Sequence, residues 1–182
     1  MKNLSIAFVL GIALAGLTIA QAPSKGAANR TKKVRIAVVE FTPGPNASVM
    51  TAEAKRQLQA SLAFALVESD LFDVVDVRNT RSATQASLEA INGGTSTSAA
   101  VKAGKHLSVS YVLTGVVSEY DTSGSATLKA RLVEVATGKV KYTGATSQQA
   151  AGTMRSGGAA EMQTKVLKPL IRKLTDSLTA VF

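Results

Sequence analysis

The chain has 182 residues, with 21 Lys and Arg against 12 Asp and Glu, a formal charge of +9, one His and no Cys. Without cysteine there is no disulfide staple, thiol nucleophile or thiolate metal site. So basic a balance favours anionic partners such as lipid headgroups, acidic proteins, anionic glycans or nucleic acid, through an attraction that salt weakens.

Lys2 followed by the apolar run Leu4 to Ala20 has the form of a secretory signal peptide over residues 1–22, with small residues at Ala20 and Ala22 placing cleavage between 20 and 23. Seventeen residues rising about 1.5 Å each fall short of the roughly 20 that span hydrocarbon, so no transmembrane segment is expected after cleavage. No Cys follows the run, so a cysteine-linked lipid is not expected, and loss of Lys2 leaves +8 on the mature chain. Export, the absence of Trp and the lack of an Arg-rich recognition helix argue against nucleic acid as a partner.

Residues 23–33 (PSKGAANRTKK) hold no large apolar group and are expected to form a basic flexible arm carrying Arg30, Lys32 and Lys33. Residues 34–182 are expected to form a single α/β domain, large enough to bury a core without staples. Val34 to Phe41 is almost continuously apolar and β-branched, the pattern of a strand covered on both faces, and Thr42, Pro43, Gly44, Pro45 and Asn46 should end it as a turn. From Thr51, a plausible N-cap, to Glu68, the residues Ala54, Leu58, Leu62, Ala65 and Leu66 recur at helical spacing. Phe72 to Val77 is a second strand by composition, completing a βαβ crossover with parallel pairing, in which Val38 and Val74 should be core residues. A weaker helix is predicted over Arg81 to Ile91, stopped by Gly93 and Gly94, and a short one from Ser98 to Leu107 with Val101 and Leu107 inward.

Three strand-like runs then follow one another with short turns, which demands antiparallel pairing: Tyr111 to Tyr120, Ala126 to Val135 and Lys139 to Thr146. In the middle run Leu128, Ala130 and Leu132 share one face, and Lys129, Arg131 and Val133 the other. After a join marked by Gly152, Gly157 and Gly158, the residues Met162, Val166, Leu170, Leu174, Leu178 and Val181 describe an amphipathic helix that Pro169 should kink near Lys168. The fold class is therefore α/β (α+β), a mixed sheet of about five strands with helices packed on it.

No catalytic, cofactor or metal residues emerge. His106 has no second His or Cys to complete a zinc site. Gly104-Lys105 lacks the Ser or Thr and the upstream glycine of a phosphate loop. Asp73 and Asp76 point to opposite faces of a strand, and Glu119 and Asp121 sit beside a solvated turn.

Four stretches together resemble the CsgG family, named for the curli secretion channel: RIAVVEF (35–41), LAFALVESDLFDVVDV (62–77), AVKAGKHLSVSYVLTGVVSEY (100–120) and ARLVEVATGKV (130–140). The resemblance implies a non-enzymatic α/β domain that oligomerises or docks on partners. The connections are too short for the membrane-spanning hairpins of a channel subunit, so no pore is implied.

The expected function is that of a periplasmic or secreted, non-enzymatic interaction or assembly protein of a bacterial envelope machine of secretion, surface-fibre or flagellar and cell-wall type, outer membrane-associated, with envelope proteins as partners and a homo-oligomer or ring as one form of assembly. The alternative is a soluble carrier of an anionic lipid or glycan. Two basic clusters are the expected docking surfaces: Arg30, Lys32 and Lys33 in the arm, and Lys165, Lys168, Arg172 and Lys173 along the C-terminal helix, three of which share a face.

Overall fold

A computed structural model describes residues 32–88, 96–152, 154 and 158–182. The signal sequence, its cleavage site, Arg30, most of the arm, and the glycines at 93, 94 and 157 lie outside the described residues.

The architecture is the expected mixed sheet with helices, here built from six strands. Strand β1 (Val34–Val38) lies between β3 (Phe72–Val74) and β4 (Tyr111–Asp121), parallel to both. From β4 the sheet continues antiparallel through β5 (Ser125–Glu134) to β6 (Val140–Gln149). Gly124 (φ 121°) and Gly138 (φ 70°) supply the positive φ that the two connecting turns require.

The largest departure from expectation is at Thr42–Asn46, read as a turn and found as strand β2, parallel to β4 at Thr42↔Val116 and Pro43↔Val117. Two prolines are tolerated because β2 pairs only with β4, leaving its other side without a strand partner to receive donors. The predicted strand over Val34–Phe41 therefore breaks after Val38 and resumes along the same neighbour. The strand predicted over Phe72–Val77 also ends early, at Val74. Asp76 accepts a 2.7 Å hydrogen bond from the Arg78 amide and a backbone bond from Thr80, so helix α2 (Val77–Leu88) begins there rather than at Arg81.

Helix α1 (Ala52–Glu68) starts as predicted, with the Thr51 hydroxyl accepting from the Ala54 amide at 3.1 Å. Ser96 caps α3 (Thr97–His106) in the same way. Val101 and Leu107 pack, partly buried, against the core on that face, and Ala99, Ala100, Ala103 and Gly104 are the buried residues of the helix.

The C-terminal helical stretch opens with α4 (Ala159–Glu161), widens into a π-helical segment (Met162–Leu167), and continues as α5 (Lys168–Thr179). Pro169 has no amide to offer the Lys165 carbonyl, and the amide of Lys168 bonds the Gln163 carbonyl five residues back. The predicted disturbance near Lys168 thus takes the form of a wide turn. Met162, Val166, Leu170, Leu174 and Leu178 are all fully buried.

The sheet divides two cores. On one face Ile36, Val38, Phe41, Leu113, Val117, Leu128 and Leu132 pack against α1 and the C-terminal helical stretch. On the other, Ala37, Val39, Val112, Val133 and Val135 pack against α3. Val38 is buried and Val74 half-buried on the neighbouring strand, as the βαβ reading requires.

Candidate protein interface

The basic cluster along the C-terminal helix was expected to hold four cations, three of them, Lys165, Lys168 and Arg172, on one face. Two of the four are engaged: Lys165 lies 3.1 Å from the Glu161 carboxylate one turn back, and Lys173 donates to the Gln148 side chain on β6 at 2.8 Å. Lys168 and Arg172, four residues apart and both exposed, remain as the outward pair on that face. They stay exposed because their turn-mates Leu170, Ile171 and Leu174 take the core positions.

The N-terminal cluster forms a separate surface. Lys32 and Lys33 line a depression of about 660 Å³ together with Arg35, Lys105, Tyr111 and Glu134. Lys33 pairs with Asp70 at 3.1 Å and Arg35 with Asp73 at 4.0 Å. The Tyr111 hydroxyl donates to Glu134 at 3.4 Å, and burial, reinforced by the Glu134 charge, raises its pKa above the ordinary tyrosine value. The Phe182 ring stands edge-on to Tyr111 and Phe72, 5.1 and 5.4 Å away between ring centres.

Lys105 was not among the expected residues. It joins this surface because the turn after α3 delivers Ser110 beside β1, where its amide bonds the Arg35 carbonyl at 3.0 Å. The available signal was the parallel pairing of two apolar strands, which brings whatever precedes each of them together.

A second depression, of about 430 Å³, lies at the opposite end of the meander. There Glu119 accepts from Ser125 at 2.7 Å and Thr127 at 3.1 Å, and Lys173 and Gln148 complete the rim. Hydrogen bonds from Ser123 hold the Asp121 carboxyl below its usual range. Glu119 and Asp121 are thus each occupied by hydroxyls or turn amides. No group of His, Asp and Glu among the described residues is arranged to hold a metal ion, and no described helix is long and apolar enough to cross a membrane.

A family model described as peptidoglycan-synthase activator LpoB matches residues 20–147. Among solved structures, a Neisseria meningitidis lipoprotein is 21% identical over 80% of this chain and 99% of its own, with a TM-score of 0.52. The NMR structure of E. coli LpoB is 15% identical over 82% of this chain and 84% of its own, with a TM-score of 0.50. A hypothetical protein from Chlamydia trachomatis is 14% identical over 81% and 94%, with a TM-score of 0.52. At such identities these structures speak for the fold alone. No curated protein matches in sequence.

The family match overturns the resemblance to the CsgG family and with it the curli-type assembly reading. The stretches that carried it, 35–41, 62–77, 100–120 and 130–140, fall on β1, the end of α1 with β3, α3 with β4, and β5 with its turn. They encode the scaffold, and scaffolds are shared by domains with different partners.

Proposed function

The chain belongs to the peptidoglycan-synthase activator LpoB family, and we propose that it docks on a peptidoglycan synthase and raises that enzyme's activity without performing chemistry itself. Its setting is the cell envelope, where peptidoglycan is assembled, in keeping with the periplasmic destination expected from its signal-like leader. The observation that carries the reading is the family match over residues 20–147, which spans β1 to β5, helices α1 to α3 and most of β6.

Two basic surfaces favour an acidic docking site on the synthase. Lys168 and Arg172 project from α5, and Lys32 and Lys105 stand with two ion-paired cations at the mouth of the larger depression. Cationic rims of this kind raise association rates and are weakened by salt.

The test is glycan polymerisation by a purified synthase of the same organism, with and without this protein. A concentration-dependent rise in rate, with a complex that weakens between about 0.05 and 0.5 M salt, is expected. Unchanged polymerisation and no complex at the lower salt would overturn the proposal.

A further inference from the structure

The two depressions are made of different material. The one around Glu119 is lined by hydroxyls, amides and charges about Ala126. The larger one, where β1 and β4 begin and β5 ends, separates its chemistry by depth. Val109 and Val135, buried core residues of the α3 face, stand at its floor beside half-buried Val34 and Tyr111. Lys32, Lys33, Arg35 and Lys105, all exposed, ring its mouth.

These four cations meet one carboxylate in the depression, and that carboxylate is already engaged. Glu134 accepts from the hydroxyls of Tyr111, at 3.4 Å, and Thr137. Lys33 and Arg35 turn to Asp70 and Asp73 in pairs whose partners are exposed on both sides, so water screens them. Lys32 and Lys105 have no ion-pair partner among the described residues. A phosphate monoester, with nearly two charges and three terminal oxygens, can answer both lysines at once, where a single carboxylate has one charge to offer. The floor adds a second requirement. A free phosphate or an acidic protein surface would match the charge and leave the valines wet. A hydrocarbon stem would cover them, and each methylene fully withdrawn from water raises affinity about fourfold.

We propose that this depression binds a phosphate-headed lipid, the phosphate at the Lys32 and Lys105 mouth and the first methylenes of its chains on the valine floor. The assignment does not rest on the synthase reading. A lipid seated there leaves Lys168 and Arg172 as the cations open to the synthase.

Calorimetric titration of the exported chain at about 0.05 M salt with dihexanoyl phosphatidic acid, below its micelle concentration, tests it. Saturable binding is expected, about tenfold or more tighter than for glycerol 3-phosphate. Lys32→Glu with Lys105→Glu should weaken it about tenfold or more, and Lys168→Glu with Arg172→Glu should leave it unchanged. All four side chains are exposed, so melting temperatures should change little. Vesicles of phosphatidic acid in phosphatidylcholine separate two sources of the lipid. Pelleting that is lost in the Lys32 and Lys105 variant places the headgroup in a membrane, whereas protein that binds the short-chain lipid and stays in the supernatant carries a monomer. No binding of the short-chain lipid, equal affinity for glycerol 3-phosphate, or equal loss in both double variants would overturn the proposal. So would a Lys32 and Lys105 variant that loses the synthase and keeps the lipid, which would assign the mouth of the depression to the synthase.

Discussion

The two faces of the sheet are built from different material. The face toward α1 and α5 buries Phe41, Phe72, Ile36, Met162 and ten leucines, whereas the face toward α3 buries only alanines and valines, with partly buried Leu107 at its margin. Large side chains contribute about 1.5–3 kcal/mol each on burial, so the first face supplies most of the driving force for folding. The second depends on close approach instead. A Cβ on Gly104 would stand 2.3 Å from a Val135 methyl and 2.9 Å from one on Val112, so α3 lies almost directly on β4 and β5. The contrast implies that the α3 layer opens before the α1 layer during local unfolding.

Val38→Asp attacks the first face hardest. It leaves a charge with no partner at a site 1% exposed and should cost about 4 kcal/mol or more, read as loss of the cooperative urea transition. A cooperatively folded Val38→Asp protein would show that this face does not dominate. Gly104→Ala probes the second face by overpacking and should cost about 2–3 kcal/mol. Hydrogen exchange should then show the loss concentrated in α3, with α1 protected nearly as before.

Gln59 ties α1 to β1 and α2. It is fully buried on α1, donates to the Val38 carbonyl at 2.7 Å and accepts from Arg81 of α2 at 3.0 Å. Gln59→Leu leaves both partners unsatisfied and should cost about 1–2 kcal/mol, with the protection of α1 and α2 becoming less alike. The smallest effect on stability belongs to Lys165→Glu with Arg172→Glu. Reversal at 165 breaks only a partly exposed pair with Glu161, so the fold should lose about 0.5 kcal/mol or less. Binding to an acidic partner at low salt should fall sharply, and unaltered binding would leave the Lys32, Arg35 and Lys105 surface as the docking site.

Where hydrophobic period and local chemistry agreed, the sequence was a faithful guide. The apolar run at Val34, the Thr51 cap, the three-strand meander and the buried stripe from Met162 to Leu178 all follow from residues acting within one or two turns of themselves. The failures came where a neighbour decided. Thr42–Asn46 has the composition of a turn and becomes a strand because β4 lies alongside with free backbone groups. Val77 has the composition of a strand and opens a helix because Asp76 caps it. The partners of Lys165 and Lys173 could not be seen as a set, since Glu161 is close in the chain but Gln148 is on another element. The family resemblance erred for a related reason, because the stretches compared were those that make the sheet, and docking is decided on surfaces that making the sheet leaves free.

The wide turn at Met162–Leu167 bears on how this helix tolerates changes in length. In an ordinary α-helix each step of four residues overshoots a full rotation by about 40°, so a stripe of such steps would wind away from the core. The extra residue held in this turn offsets part of that drift, and the stripe Met162, Val166, Leu170, Leu174 and Leu178 remains inside throughout. Deleting one residue within α5 would swing everything beyond it by about 100° and turn leucines toward solvent. Deleting Thr164 would instead let the wide turn close to the usual spacing, with the downstream leucines still facing inward. Chains of this fold can therefore gain or lose a residue at this turn while keeping the same buried face.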